Sequence, residues 1–188
     1  MKDKFKLVKI FDQIKISINK MIEIENDILK ISKLLKNTLR KNKVIFCGNG
    51  GSAADSSHVV AELIGRYLKK KRRSLNAISL NENISTITAL SNDFNYKYVF
   101  SRQLEGVGKR GDVLFAISTS GKSKNILEAI RISKKLGIKT IMLTGLNKFN
   151  KSRVDHCIKV PAKRVDRIQE LHIIVLHIIS EYLDESFN

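Results

Sequence analysis

Residues 44–65, VIFCGNGGSAADSSHVVAELIG, constrain this chain more than any other stretch. A short apolar run over 44–47 stops at Gly48-Asn49-Gly50-Gly51-Ser52, and a helical pattern starts at once. Strand, glycine turn and helix N-terminus in succession are how a parallel α/β sheet builds a phosphate site. Glycines let the backbone approach the anion, and the free N–H groups of the first helical turn face its charge. His58 and Glu62 follow, four apart and so on one face of that helix. An anion anchor beside a base or metal-ligating pair points to chemistry on a phosphorylated small molecule.

The rest of the chain repeats the alternation. Apolar runs at 44–47, 77–80, 113–117, 140–143 and 157–160 read as strands, and helical patterns occupy about 52–69, 84–90, 96–106, 124–136 and 166–183. Strands that are apolar throughout, separated by helices, predict a parallel sheet of about five strands covered on both faces. At 188 residues, one domain is expected over 1–188. Ahead of the first strand, Leu7, Phe11, Ile14, Ile18 and Met21 form one apolar stripe, which resumes as Ile24, Ile28, Ile31 and Leu35 after a break in rhythm. Asn26 and Asp27 are candidate caps at that break. Two helices or one kinked helix are expected, with residues 1–40 forming an arm that packs on a partner subunit.

The formal net charge of +17 raises a nucleic-acid role, yet the basic residues are scattered and carry no interleaved aromatic platform. The run from Lys69 to Arg73 falls where a helix should end, so it reads as a solvated cap on a helix dipole. No nucleic-acid partner is expected. The first residues, MKDKFKLVK, lack a secretory apolar region, and the most apolar stretch, 171–179, is interrupted by His172 and His177 and is too short to span a bilayer. Cys47 and Cys157 both fall in apolar runs and read as core thiols. Together these predict a cytoplasmic protein with no membrane partner.

A second loop, Ser118-Thr119-Ser120-Gly121-Lys122-Ser123, again joins a strand to a helix. A helix cap needs one hydroxyl; four in six positions favour a bound phosphate. The loop fails as a nucleotide P-loop because Ala116 stands at the first glycine position, and the 48–53 loop fails as a dinucleotide fingerprint because no acidic residue follows at the right distance. On spacing alone His58–Glu62 and Glu62–Arg66 are ordinary surface pairs. Gln169 and His177, in an apolar helical stretch, call for partners.

Taken together, Gly48-Asn49-Gly50-Gly51-Ser52, His58 with Glu62, Arg66 and Tyr67, Ser91-Asn92-Asp93-Phe94, the serine loop, and Asp166-Arg167-Ile168-Gln169-Glu170 followed by His177 resemble the phosphoheptose isomerases, a family of SIS-domain proteins. The resemblance covers almost the whole chain; His58, Glu62, Gln169 and His177 are its specific part. It implies a flavodoxin-like α/β/α three-layer sandwich and a homotetramer with sites at subunit interfaces. It also implies conversion of sedoheptulose 7-phosphate, a phosphorylated seven-carbon sugar, to D-glycero-D-manno-heptose 7-phosphate for surface polysaccharide. Substrate-binding positions carried over are Asn49, Gly50, Gly51, Ser52, Glu62, Asn92, Asp93, Ser118, Thr119, Ser120, Ser123 and Gln169. Some members bind zinc, one ion per subunit, and the matching positions are His58, Glu62, Gln169 and His177. Departures are the basic Lys122 in the serine loop and a short loop between Leu143 and Asp155.

Isomerisation of a ketose to an aldose moves a proton between adjacent carbons through an enediol, which requires a base, an acid near the oxygens and shielding from water. Glu62 and His177 are assigned as the proton-transfer groups. Gln169 and His177 are eight residues apart, about 12 Å along a helix and about 80° around it. One ion does not readily take both from one rigid helix, so His177 is expected to meet the Glu62 site across a subunit interface. Two alternatives stand beside this reading: a non-catalytic SIS binding or regulatory module, in which the carboxylate at position 62 is expected to be missing, and an isomerase of another sugar phosphate.

Overall fold

The computed structural model describes residues 7–147 and 149–188. Residues 1–6 of the expected arm, and Lys148 in the short loop, lie outside the described residues. Five parallel strands, β1 (Val44–Gly48), β2 (Ala77–Ser79), β3 (Val113–Ile117), β4 (Lys139–Thr144) and β5 (His156–Lys159), form one sheet in the order β2-β1-β3-β4-β5. This is the flavodoxin-like order, and its switch point lies between β1 and β3, where ligands bind at the carboxyl ends of the strands. The glycine loop follows β1 and the serine loop follows β3, so the topology brings the two loops side by side.

The helices are α1 (Leu7–Asn19), α2 (Glu25–Thr38), α3 (Gly51–Ile64), α4 (Ile84–Asp93), α5 (Val99–Val107), α6 (Lys124–Lys135) and α7 (Val165–Phe187). Alternation along the strands separates two cores. Val44 and Phe46 of β1, with Val113, Phe115 and Ile117 of β3, face a layer made by α2, α3 and α7; Ile45, Cys47, Leu114, Ala116 and Met142 face α5 and α6, with Ile87 and Leu90 of α4 at their margin. The Phe46 and Phe115 rings stack at 5.2 Å between centroids.

The break in the N-terminal rhythm is a 3-10 turn, Lys20–Ile24. Asn26 and Asp27 do not cap α2: Ile24 precedes the helix, which begins at Glu25. The arm divides in two. Ile28, Ile31 and Leu35 of α2 are buried in this chain's own core, whereas α1 has no buried residue.

Three further expectations are corrected. The helix expected over 52–69 ends at Ile64, because Gly65 takes the cap and its N–H closes on Ala61. The region 96–106 splits into a 3-10 turn, Tyr96–Tyr98, and α5. Cys157 is only partly buried, because it lies on edge strand β5, while Cys47 in central β1 is fully buried; both thiols are free. No described helix is long and apolar enough to cross a membrane.

Candidate active site

The first loop is shaped by its glycines. Gly50 has a φ of +56°, the left-handed region that L side chains rarely adopt, and a Cβ on Gly48 would run into the Ser52 backbone of the returning helix. Asn81, just beyond β2, pairs with Gly48 in both directions: its Oδ1 accepts from Gly48 N at 3.1 Å and its Nδ2 donates to Gly48 O at 2.9 Å. Ser52 is buried under the first turn of α3. Asn49 sits between the two loops. Its side-chain amide exchanges two hydrogen bonds with buried Asn125 of α6, at 2.8 and 2.9 Å, and its Oδ1 also accepts from the Tyr96 hydroxyl at 2.9 Å.

The second loop uses part of its own hydroxyl set. Gly121, at φ +64° against the Phe149 ring, turns the chain so that its N–H reaches Ser118 Oγ at 3.2 Å. Ser120 Oγ accepts from Lys122 N at 3.2 Å, and Ser118 and Ser123 hydroxyls lie 3.4 Å apart. The Thr119 carbonyl is held by Asn147 Nδ2 at 2.6 Å. Ser123 occupies the position ahead of α6 without capping it through its side chain. Lys122 is exposed. Asn92 and Asp93 end α4, are exposed, and bond to each other at 2.9 Å; of this segment it is Tyr96 that reaches the first loop, through Asn49.

Helices α3 and α7 lie side by side and point the same way. Gly51 at the start of α3 meets Gln169, whose amide occupies the space a Cβ on Gly51 would need. Two turns further along both helices, His58 Nε2 meets His177 Nε2 at 2.9 Å, and His58 Nε2 lies 3.5 Å from Glu62 Oε1. His177 also stacks on Tyr67, at 5.5 Å between centroids and 29° between planes. Burial, joined by the charges of Glu181, Glu62 and Asp184, pushes the Tyr67 phenol up, so it stays protonated beside the cluster.

His58, Glu62 and His177 therefore gather within a single chain. The expectation that His177 meets the Glu62 site across a subunit interface is corrected in one respect: within this chain His177 already reaches His58, the neighbour of Glu62, because α7 runs beside α3 in the same direction. Of the four expected metal positions, His58 touches both Glu62 and His177, and Gln169 lies against Gly51 at the start of α3. Glu62 does not form the expected ion pair with Arg66; its nearest basic partner is His58. Two imidazole nitrogens and a carboxylate oxygen are zinc-type donors, although here the imidazoles share a hydrogen bond, and no group of three among the described residues is gathered as a formed metal site.

Several residues of the site carry no sequence signal of their own. Asp55 lies on α3 one turn before His58; burial pushes its carboxyl up to about 6 against the pull of the His58 charge, and its Oδ2 has no partner. Asn81, Asn125 and Tyr96 belong to no motif, being single polar residues whose partners are distant in sequence. His172, by contrast, is fully buried, and burial pushes it down to about 4 against the opposing pull of the Thr144 backbone.

A doubly wound sheet with two phosphate-type loops at its switch point, and an acid–base cluster two turns away, defines a sugar-phosphate-handling α/β domain. The family model described as "SIS domain" matches residues 10–145. The chain is 46% identical over 160 residues to a phosphoheptose isomerase of Akkermansia muciniphila, covering 84% of each protein. It is 50% identical over 148 residues to that of Nitratiruptor sp., covering 78% of this chain and 79% of the relative. The solved structure of a phosphoheptose isomerase from Neisseria gonorrhoeae superposes with a TM-score of 0.82 at 32% identity, covering 94% of this chain and 97% of the other. The chain belongs to the phosphoheptose isomerase family of SIS-domain proteins.

Proposed function

We propose that this chain is an aldose–ketose isomerase that converts sedoheptulose 7-phosphate to D-glycero-D-manno-heptose 7-phosphate, for surface-polysaccharide heptose. One observation carries the reading: His58, Glu62 and His177 gather about two helical turns, roughly 10 Å, along α3 from Gly51 and the phosphate-type loops. From C1 to phosphorus, an open-chain heptose 7-phosphate contains about eight bonds. At the roughly 3.4 Å that an extended chain gains per three bonds, it spans about 9 Å. Phosphate at the loops therefore places C1 and C2 at the cluster.

Backbone N–H groups around Gly50 and Gly51, with the hydroxyls of Ser118, Thr119, Ser120 and Ser123, hold the phosphate. Asn49 and Gln169 face the sugar hydroxyls nearest the loops, and Asn92 and Asp93 reach it from the end of α4. Glu62 and His177 divide the proton transfers: one group moves the carbon-bound proton from C1 to C2, and the other moves a proton between O1 and O2. Zinc, one ion per subunit, would be held by His58, Glu62, Gln169 and His177 and would polarise the two sugar oxygens as a Lewis acid. A non-catalytic module needs no carboxylate at position 62, whereas Glu62 is present and aimed at His58.

The exposed apolar side chains of α1, Leu7, Val8 and Phe11, support burial against further copies in a homotetramer. The two free cysteines support a reducing, cytoplasmic setting. Proton NMR with sedoheptulose 7-phosphate in deuterated water, with and without zinc, tests the activity. New aldose signals, or deuterium entering beside the carbonyl, are the expected result; no exchange under either condition in folded protein overturns it.

A further inference from the structure

The basic run after α3 holds a buried ion pair that its sequence does not announce. Arg72 and Asp184 are both buried, with side-chain exposures of 0% and 2%. Arg72 Nε donates to Asp184 Oδ1; Nη2 donates to Glu62 O at 2.7 Å; Nη1 donates to Leu63 O at 2.8 Å and to Arg73 O at 2.6 Å. Asp184 Oδ2 accepts from Leu68 N at 2.6 Å and Lys69 N at 2.8 Å. One guanidinium thus takes up two carbonyls of the last turn of α3, that of Glu62 and that of Leu63, the latter shared with Leu75 N at 3.0 Å. One carboxylate holds the segment immediately after Tyr67.

These three attachment points are the supports of the acid–base cluster. Glu62 is on the turn that Arg72 caps. Tyr67, which stacks on His177, directly precedes the Leu68 N–H that Asp184 holds. His177 lies two turns before Asp184 on α7. The other end of the helix pair is set where Gln169 meets Gly51. A buried ion pair is often no better for stability than a well-packed apolar pair, so its worth here lies in geometry. Arginine presents its donors in a fixed fork, which lysine cannot reproduce.

We propose that Arg72 and Asp184 are positioning residues for the isomerisation: they fix the carbonyl of Glu62 and the Tyr67 segment against α7, and so set the spacing of Glu62 and His177. This rests on the assignment of Glu62 and His177 as the proton-transfer groups. Neither positioning residue touches substrate.

The test compares Arg72→Lys and Asp184→Asn with a control at the opposite end of the sheet. There, ahead of β1 and β3, Lys43 Nζ meets largely buried Asp112 at 2.6 Å. Asp112→Asn weakens a comparable ion pair far from the cluster. Arg72→Lys is expected to lower kcat about 100-fold, the cost of roughly 1 Å of misplacement, with KM within about threefold and with far-UV circular dichroism and the melting midpoint close to those of Asp112→Asn. Asp184→Asn, which keeps an acceptor for the two N–H groups, is expected to lose less. If Asp112→Asn lowers kcat as much as Arg72→Lys, or if a folded Arg72→Lys keeps wild-type kcat, the positioning role is overturned. Should Arg72→Lys fail to fold, Asp184→Asn decides by the same comparison. Glu62→Gln is run beside them: full activity in that variant overturns the assignment on which the proposal rests, and is distinguishable from failure of the strut alone.

Discussion

The imidazole of His58 meets that of His177 nitrogen to nitrogen at 2.9 Å, across 119 residues of sequence, with the Glu62 carboxylate 3.5 Å from the His58 nitrogen. Replacing Glu62 by Gln removes a proton-transfer group at nearly constant shape, and kcat should fall by roughly 10²–10⁴. His177→Gln should fall by a similar factor, and the double variant by little more than either, because the two act as a unit. Deuterium incorporation into the sugar, followed by NMR, measures all three. Fully additive losses would contradict a shared site.

Asn125 should matter for substrate affinity although it lies on no recognisable motif. It is buried and exchanges two hydrogen bonds with Asn49, joining the two loops. Asn125→Leu leaves Asn49 with the Tyr96 hydroxyl as its remaining side-chain partner. Loss of about 1–2 kcal/mol of loop organisation corresponds to a rise in KM of about tenfold. Steady-state kinetics on the folded variant reads this directly, and an unchanged KM would refute it.

Gly121 should tolerate no side chain. Its φ is +64°, and a Cβ would lie 2.9 Å from the Phe149 ring. Gly121→Ala should cost about 1–3 kcal/mol from the backbone alone. Gly106, inside α5, is the matched contrast, because a methyl group there would meet no atom within 4 Å. Gly106→Ala should gain about 0.5–1 kcal/mol. Urea unfolding of the two variants should move the midpoints in opposite directions.

Buried His172 sets a pH dependence of stability. Its folded value, pushed by burial to about 4, lies below the ordinary 6.5. Between these values the unfolded chain binds a proton that the folded chain does not, so stability falls as pH falls through that window. Asp55 works in the opposite sense: with its folded value raised to about 6 from 3.8, it costs stability as pH rises between them. The two slopes offset each other in the wild type. His172→Leu removes one of them, so going from about pH 7.5 to about pH 5 the wild type should lose about 2 kcal/mol more than the variant. Equal losses in urea titrations would show that His172 does not carry the effect.

Which parts of the fold are legible follows from where each signal resides. Residues 113–117 read as a strand and are β3, because a central parallel strand is apolar on both faces and ends at a Ser/Thr loop. The helix after β1 reads five residues too long, because Leu68 and the lysines that follow are good helix formers and mask the stop at Gly65. Arg72 reads as one more solvated cation, since nothing local distinguishes it from Lys71; its partner Asp184 lies 112 residues away. The loops are legible from residue type and spacing; Glu62 and His177 stand out only through the family resemblance, since spacing alone reads His58–Glu62 as an ordinary surface pair. Their assembly is not legible. The roughly 12 Å rise from Gln169 to His177 stands, but spacing along α7 says nothing of α3 lying beside it in the same direction, with Gly51 serving one residue and His58 the other.

The placement of α7 also sets an order of events during synthesis. α7 is the last element in the sequence, and its Ile168, Leu171, Val175, Leu176, Ile179 and Leu183 fill the core between the sheet, α2 and α3. His177 is added to the growing chain 119 residues after His58. Both glycine- and serine-rich loops precede that helix in the sequence, and the first is packed by it where Gln169 meets Gly51. The step that closes the core is the same step that completes the acid–base cluster, and the unfinished polypeptide carries an open apolar face for as long as it is inactive.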